Sequence, residues 1–188
     1  RLSWRNVLVG GGIFCIGLYK KLVFADGIAI YVDPVYTSAA SDPPAFFEAW
    51  SATAAYAFQI YFDFSGYSDM AVGLARMFGV VLPINFCSPY KASSIADFWR
   101  RWHITLSRFF RDYLYIPMGG NQVSISRQIV NVLTVMFLAG LWHGAGWTFV
   151  VWGMLHGVYL GINHGWRAFC RRWQWSGTAT FGDTPTGV

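Results

Sequence analysis

A run of 39 residues without a formal charge, from Gln128 to Trp166, constrains the fold more than any other feature. As one helix it would be about 58 Å long at 1.5 Å per residue, whereas the hydrocarbon core of a bilayer is about 30 Å thick. The run is therefore either strongly tilted or broken near the glycines at 140–146. We expect two apolar segments, at 129–141 and 148–162.

The composition indicates a membrane protein. Apolar residues make up 55% of the chain and charged residues only 12%, against about 25% in soluble domains. Aromatic residues reach 19%, as expected for aromatic belts at membrane interfaces. The net charge of +5 comes from loops and segment ends, where the positive-inside rule and anionic headgroups explain it. We therefore predict an all-α, polytopic membrane helix bundle, with lipid and no nucleic acid as a partner.

The first half of the chain reads as apolar segments separated by loops. Lys20 and Lys21 fit inside the first segment only by snorkelling or by pairing. The expected order is an apolar segment at 7–32, a proline-containing loop at 33–45, a spanning segment at 46–64, a loosened chain at Gly66, a shorter segment at 70–84 and a polar loop at 85–94.

Residues 95–115 have the pattern of one amphipathic helix. At 100° per residue the arginines fall within an arc of about 100°, and aromatic residues occupy the opposite side. That pattern is typical of a helix in the membrane interface, where arginines bind headgroups. Alternatively, the arginines hold an acidic carrier or a phosphate-bearing donor. The arc contains Arg100, Arg101, Arg108 and Arg111.

His143 is the first candidate for chemistry, because it lies at the expected break at membrane depth. Imidazole titrates near neutrality and can take a proton from a hydroxyl and return it later. The neighbouring glycines would let a substrate approach the backbone, with Trp142 and Trp147 as walls of the cavity. The alternative is a histidine that joins helices by hydrogen bonds.

His103 is the second candidate, at the edge of the arginine arc. It is either an interfacial histidine or a partner that lines the route to His143. His156 follows His143 by 13 residues, or about 220° on one helix, so we expect the two to face different ways. Because no ligand spacing joins the histidines, and the three cysteines form no CxxC pair, we predict no metal site and no disulfide framework.

Asp63 and Asp69 are carboxylates in an otherwise apolar and aromatic stretch. Such a carboxylate must be paired or neutral. We expect pairing with Arg76 or with an arginine of the 100–111 group.

Longer motifs carry a resemblance to a known family. They are YFDFSGYSDMA at 61–71, GLARMFG at 73–79, FWRRWHITLS at 98–107, RDYLYIP at 111–117, GGN at 119–121, GLWHGA at 140–145, WG at 152–153 and HG at 156–157. In order and spacing they resemble the membrane-bound O-acyltransferase (MBOAT) family, and within it the alginate O-acetyltransferase branch. The resemblance runs from about Gly10 to Arg167.

The resemblance implies an MBOAT-type bundle with interfacial and re-entrant helices around a central tunnel. It makes His143 the catalytic histidine and His103 the second functional one. It also implies acyl transfer in the bacterial inner membrane, from cytoplasmic acetyl-CoA or an acylated carrier to an extracellular or periplasmic polysaccharide, with accessory acetylation proteins. Candidates for lining the tunnel are Trp142, Trp147, Asp63, Asp69, Arg100 and Arg101.

Two alternatives remain open. One is transfer of D-alanine or another acyl group to an envelope polymer, and the other is a non-catalytic subunit for acyl-group export. Because the chain starts at Arg1 without a methionine and ends in a Ser/Gly/Thr-rich stretch, we expect a piece of a longer protein. Residues 1–175 would be the central part of one membrane domain, and residues 176–188 a loop.

Overall fold

The computed structural model describes residues 3–173, which form helices and connecting turns without a strand. The predicted all-α class is confirmed for these residues. The chain divides into two compact units, Arg1–Asn85 and Phe86–Val188. One membrane domain over 1–175 stays a prediction, and the predicted loop at 176–188 lies outside the described residues.

The first unit starts with a long helical rod. Helix α1 (Trp4–Tyr19) continues through a wider π-helical turn (Lys20–Ala25) into α2 (Asp26–Ser38). The predicted loop at 33–45 is therefore wrong in its first six residues. The helix continues past Pro34, and two hydroxyls in the next turn also donate to backbone carbonyls. Thr37 Oγ1 donates to the Asp33 oxygen at 2.7 Å and Ser38 Oγ to the Pro34 oxygen at 2.9 Å.

Helix α3 (Phe46–Met77) runs unbroken through Gly66, so the predicted loosening there is wrong. Gly66 serves helix packing instead. A Cβ on Gly66 would lie 2.7 Å from the Gly17 oxygen, and one on Gly17 would lie 2.6 Å from the Gly66 oxygen. The backbones of α1 and α3 therefore touch at this crossing, as small residues allow in membrane helix pairs. The expectation of a separate segment at 70–84 is wrong, because residues 70–77 are the last turns of α3 and the helix ends at Met77.

The second unit opens with two short helices, α4 (Ile95–Arg101) and α5 (Ile104–Phe110). A single helix over 95–115 is therefore wrong, and so is the continuous arginine arc computed on it. The chain breaks at Trp102, whose backbone is extended, and at His103, which has a left-handed φ of 42°. The break lets the Trp102 ring join an aromatic cluster, with ring centroids 5.1–6.3 Å from those of Phe86, Tyr90 and Phe98.

Two long helices follow a π-helical turn (Arg111–Tyr115) and a short 3-10 turn (Gly120–Gln122): α6 (Ile125–His143) and α7 (Trp147–Arg172). The predicted pair of helices with a break between them is confirmed, and the break itself is 144–146. The helices pack backbone to backbone, because a Cβ on Gly153 would lie 2.4 Å from the Met136 oxygen.

Two helical stretches among the described residues are long and apolar enough to cross a membrane, Trp4–Ser38 and Ile125–His143. Length and composition agree with the membrane location that the sequence predicts.

Gly153→Ala is expected to destabilise the α6–α7 pair by about 1–3 kcal/mol, since the added methyl meets backbone rather than a flexible side chain. Gly165→Ala on the same helix is the matched control, because nothing lies within 4 Å of its Cβ position. Thermal unfolding of the full-length protein in detergent measures both. Equal midpoints for the two variants would contradict the packing.

Candidate active site

His143 is the last residue of α6, directly before the break. Its ring centroid lies 4.9 Å from that of Trp152, 5.0 Å from Trp142 and 6.3 Å from Phe149. Trp152 and Phe149 belong to the first turns of α7. The imidazole is therefore set among aromatic rings by the close packing of the two long helices.

The structure brings the two predicted catalytic histidines to one place. The His103 ring centroid lies 6.5 Å from Trp142, which lies 5.0 Å from His143. On its other side His103 faces Phe86 at 6.4 Å. The strained left-handed backbone at residue 103 is a feature that clusters at functional sites. It turns the chain between α4 and α5.

Burial lowers the pKa of His103 below its ordinary 6.5, and a positive charge on His143 would lower this pKa further. The His103 imidazole is therefore neutral at pH 7. A neutral imidazole has one donor nitrogen and one acceptor nitrogen. A hydrogen bond with the backbone of residue 103 engages one nitrogen of this ring.

A cavity of about 330 Å³ extends from His143 along α6 and α7. On α6 its lining runs from Val132 to His143, a rise of about 16 Å at 1.5 Å per residue. The cavity is therefore elongated along α6, with His143 and Trp152 at one end. Its walls are largely apolar, and Leu106, Val135, Met136 and Ala139 are among them.

The opposite end of the cavity is polar and is formed by Tyr115, Asn121 and His164. Tyr115 donates its hydroxyl to Asn121 Oδ1 at 2.8 Å. Gln128 holds the same turn through the Asn121 oxygen at 3.2 Å, and buried Asn131 holds it through the Met118 oxygen at 2.8 Å. Sequence reasoning missed these residues, because only the fold brings the turn to the base of α6.

The predicted arginines separate into two groups. Arg100 and Arg111 line the long cavity, and with Arg108 they also line a neighbouring one of about 470 Å³. Arg101 is instead held by Asp97, with Nε 2.9 Å from Oδ2, and is not among the lining residues. Arg100 approaches Asp97 only to 3.8 Å. The Arg100 guanidinium can therefore bind an anionic group in the cavity.

The tryptophans that form the cavity wall are Trp99 and Trp152. Of the predicted wall residues, Trp147 is 83% exposed and Trp142 is 59% exposed, and neither lines the cavity. Trp142 instead separates the two histidines. The sequence did not indicate Trp99 and Trp152 as wall residues, because they come from α4 and α7 and meet only in the fold.

The predicted role of the glycines around His143 is also changed by the structure. A Cβ on Gly140 would lie 2.4 Å from the Phe149 oxygen, and one on Gly144 would lie 2.6 Å from the Phe149 ring. The space beside these two glycines is therefore filled by α7. They admit the neighbouring helix rather than a substrate.

Asp63 and Asp69 lie in the first unit and pair with lysines. Lys21 Nζ is 2.6 Å from Asp63 Oδ1 and 2.8 Å from Asp26 Oδ1, and Lys20 Nζ is 2.6 Å from Asp69 Oδ2. The predicted pairing with Arg76 or with the 100–111 group is wrong. The antiparallel crossing explains the pairing of Lys21 with Asp63, since one turn beyond Gly17 lies opposite one turn before Gly66.

Comparison with known proteins identifies the family. The model of the MBOAT, membrane-bound O-acyltransferase family, matches residues 3–180. The chain belongs to this family. It is 50% identical over 175 residues to a peptidoglycan O-acetyltransferase of Helicobacter pylori, covering 93% of this chain and 33% of that protein.

Two further relatives mark the breadth of the family. The chain is 49% identical to a protein of Azotobacter vinelandii named "Probable alginate O-acetylase AlgI", over 82% of this chain and 30% of that protein. It is 37% identical to a teichoic acid D-alanyltransferase of Streptococcus thermophilus, over 59% of this chain and 28% of that protein. The chain thus spans about a third of the length of these curated relatives.

Lys21→Met is expected to lower the free energy of unfolding of the full-length protein by about 1–3 kcal/mol, between the values for exposed and buried ion pairs. It leaves Asp26 and Asp63 without their shared cation. Lys21→Arg keeps the charge and is the matched control. The thermal midpoint in detergent is the measurement, and an unchanged midpoint in Lys21→Met would show that the network does not stabilise the fold.

The lowered pKa of His103 predicts a loss of stability in acid. Below pH 6.5 the unfolded chain takes up a proton that the folded state resists, so unfolding becomes favoured as the pH falls. Thermal midpoints between pH 7.5 and 5.5 should fall less steeply for His103→Gln than for the unaltered protein. Parallel slopes would show that residue 103 makes no contribution.

Proposed function

We propose that the whole protein is a multi-pass O-acyltransferase of the bacterial inner membrane. In this proposal it moves an acetyl group from a cytoplasmic donor to a hydroxyl of a polysaccharide outside the membrane. The observation that carries the proposal is the imidazole of His143 at the end of a long apolar cavity, with a second histidine beside it. The names of the relatives give the reaction class.

The proposed reaction starts when His143 takes the proton of the acceptor hydroxyl. The hydroxyl oxygen attacks the carbonyl carbon of the donor thioester, and a C–O bond forms. Collapse of the tetrahedral intermediate breaks the C–S bond, and the imidazolium returns its proton to the leaving thiolate. His103 orients donor or acceptor.

The cavity supports a donor with a thioester on a long arm. Its length suits a narrow chain that places a small acyl group at His143. Arg100 and Arg111 suit phosphates, because guanidinium binds phosphate in a bidentate manner. Acetyl-CoA or an acylated carrier has both features. The proposed reaction needs no metal.

The acceptor is proposed from the relatives alone. Two of them are named for acetylation of peptidoglycan and of alginate, so an envelope polysaccharide is the proposed acceptor, reached with accessory acetylation proteins. The second candidate is transfer of D-alanine, which the similarity to a teichoic acid D-alanyltransferase favours. Mass spectrometry of the modified polymer separates the two, because the acyl groups differ in mass.

The test is His143→Gln in the full-length protein, expressed in a strain that lacks its own copy. Glutamine keeps a hydrogen-bonding side chain of similar reach but cannot act as a base near neutrality. We expect polymer acylation to fall at least 100-fold, the lower contribution of a general base, while the amount of protein in the membrane is unchanged. Gly165→Ala is the control for membrane insertion and activity.

Normal acylation in His143→Gln would overturn the proposal. So would purified full-length protein that is inactive with donor and acceptor while a separate acyltransferase restores acylation in cells. That second result would identify a non-catalytic export subunit instead.

A further inference from the structure

Three rings behind the His143 imidazole form a cluster of their own. Trp152 packs edge to face against His143, with centroids 4.9 Å apart at 83°. His156 lies 4.9 Å from Trp152, and Trp99 lies 5.8 Å from Trp152 on another side. Trp152 therefore links His156 and Trp99 to His143, because its ring contacts all three. The sequence had placed His156 on a different face, because that estimate treated both histidines as residues of one helix.

Two buried nitrogens of this cluster have no hydrogen-bond partner among the described residues, Nδ1 of His156 and Nε1 of Trp99. Their chemistry is complementary. An indole N–H only donates, and Nδ1 of a neutral imidazole accepts when the proton is on Nε2. The two rings are 5.3 Å apart at 83°, so a small rotation of either ring turns the donor toward the acceptor.

A buried polar atom without a partner destabilises a fold, and phenylalanine at either position would fill the space without that cost. The two rings that carry these atoms are in contact. Trp99 lines the cavity, and His156 contacts Trp152, which also lines it. The arrangement therefore indicates that the nitrogens have a role with each other rather than with the surrounding apolar side chains.

We propose that His156 is a positioning residue for His143 and acts through Trp152. Its Nδ1 accepts a hydrogen bond from Trp99 Nε1, directly or across one water molecule. This pair fixes the Trp152 ring and, through it, the imidazole of His143. The inference rests on the proposed function, in which His143 is the base. A base must lie within about 2.6–3.2 Å of the proton that it takes, so a loose ring loses rate.

The test is a double-mutant cycle in the full-length protein with radiolabelled acetyl-CoA and the purified polymer. Trp99→Phe and His156→Phe keep an aromatic ring but remove the donor or the acceptor. We expect each to lower kcat about 5- to 20-fold with KM unchanged. The double variant should be no slower than the slower single variant, because the two changes remove the same interaction.

Thermal midpoints separate positioning from a structural role. Each single phenylalanine leaves the other nitrogen buried without its partner and should lower the midpoint, whereas the double variant removes both polar atoms and should regain the wild-type midpoint while kcat stays low. Phe169→Ala is the control for loss of a ring elsewhere on α7, and it should leave kcat unchanged. Additive losses in the double variant, or an unchanged kcat in either single variant, would overturn the proposal.

A second readout needs no turnover. Diethyl pyrocarbonate modifies imidazoles, and peptide mass spectrometry gives the rate at each histidine. We expect the rate at His143 to change at least threefold in both single variants, while the rate at His164 stays constant. An unchanged rate at His143 would overturn the positioning role. Inactive wild-type protein with a changed rate would instead refute the proposed function and leave the positioning in place.

Discussion

The contact between Gly140 and Gly153 is the constraint on which the site depends. Their α-carbons lie so close that a Cβ on Gly153 would be 3.2 Å from the Gly140 α-carbon. Because α6 and α7 meet backbone to backbone, the end of one helix faces the start of the other. His143 therefore reaches the Trp152 ring, and the cavity begins between them. Bulkier residues at the crossing would separate the helices and the rings with them.

In the first unit, a similar backbone contact between two helices is accompanied by ion pairs. Gly17 and Gly66 bring α1 and α3 into backbone contact, and the turn beyond that contact carries two lysines opposite aspartates. Charges in a membrane helix are costly unless paired. Here the pairing also sets the register of the two helices, because sliding either helix by one turn would separate Lys21 from Asp63. The lysines lie in a π-helical turn, a feature that is frequent at functional sites.

Much of the fold could be predicted from the sequence, and most of the failures share one cause. The absence of charge from 128 to 166 predicted two apolar helices and the position of His143 at their break. Gly66 and Pro34 were read as interruptions, yet Gly66 packs against a neighbouring helix and Pro34 lies within α2. The helix predicted at 95–115 is broken at Trp102, whose ring joins an aromatic cluster. At Gly66 and at Trp102 a tertiary contact overrode the local pattern.

The same limit applies to the site. His143 stood out because a titratable ring in an apolar segment is rare, and His103 stood out because it lies at the edge of the arginine arc. Trp99, Trp152 and Asn121 carried no such signal, since apolar and amide side chains are common and only the fold collects them around one cavity. The partners of Asp63 and Asp69 were misassigned for a related reason. Sequence distance offered several arginines, whereas the antiparallel helix crossing selects the lysines.

The most direct measurement is a cryo-electron microscopy structure of the full-length protein with an unreactive acetyl-CoA analogue in which the thioester sulfur is replaced by carbon. The account predicts the arm of the analogue along α6 and α7 and its carbonyl carbon at the end of the cavity formed by His143 and Trp152. An acyl group bound elsewhere, with the His143 ring sealed against lipid, would contradict it.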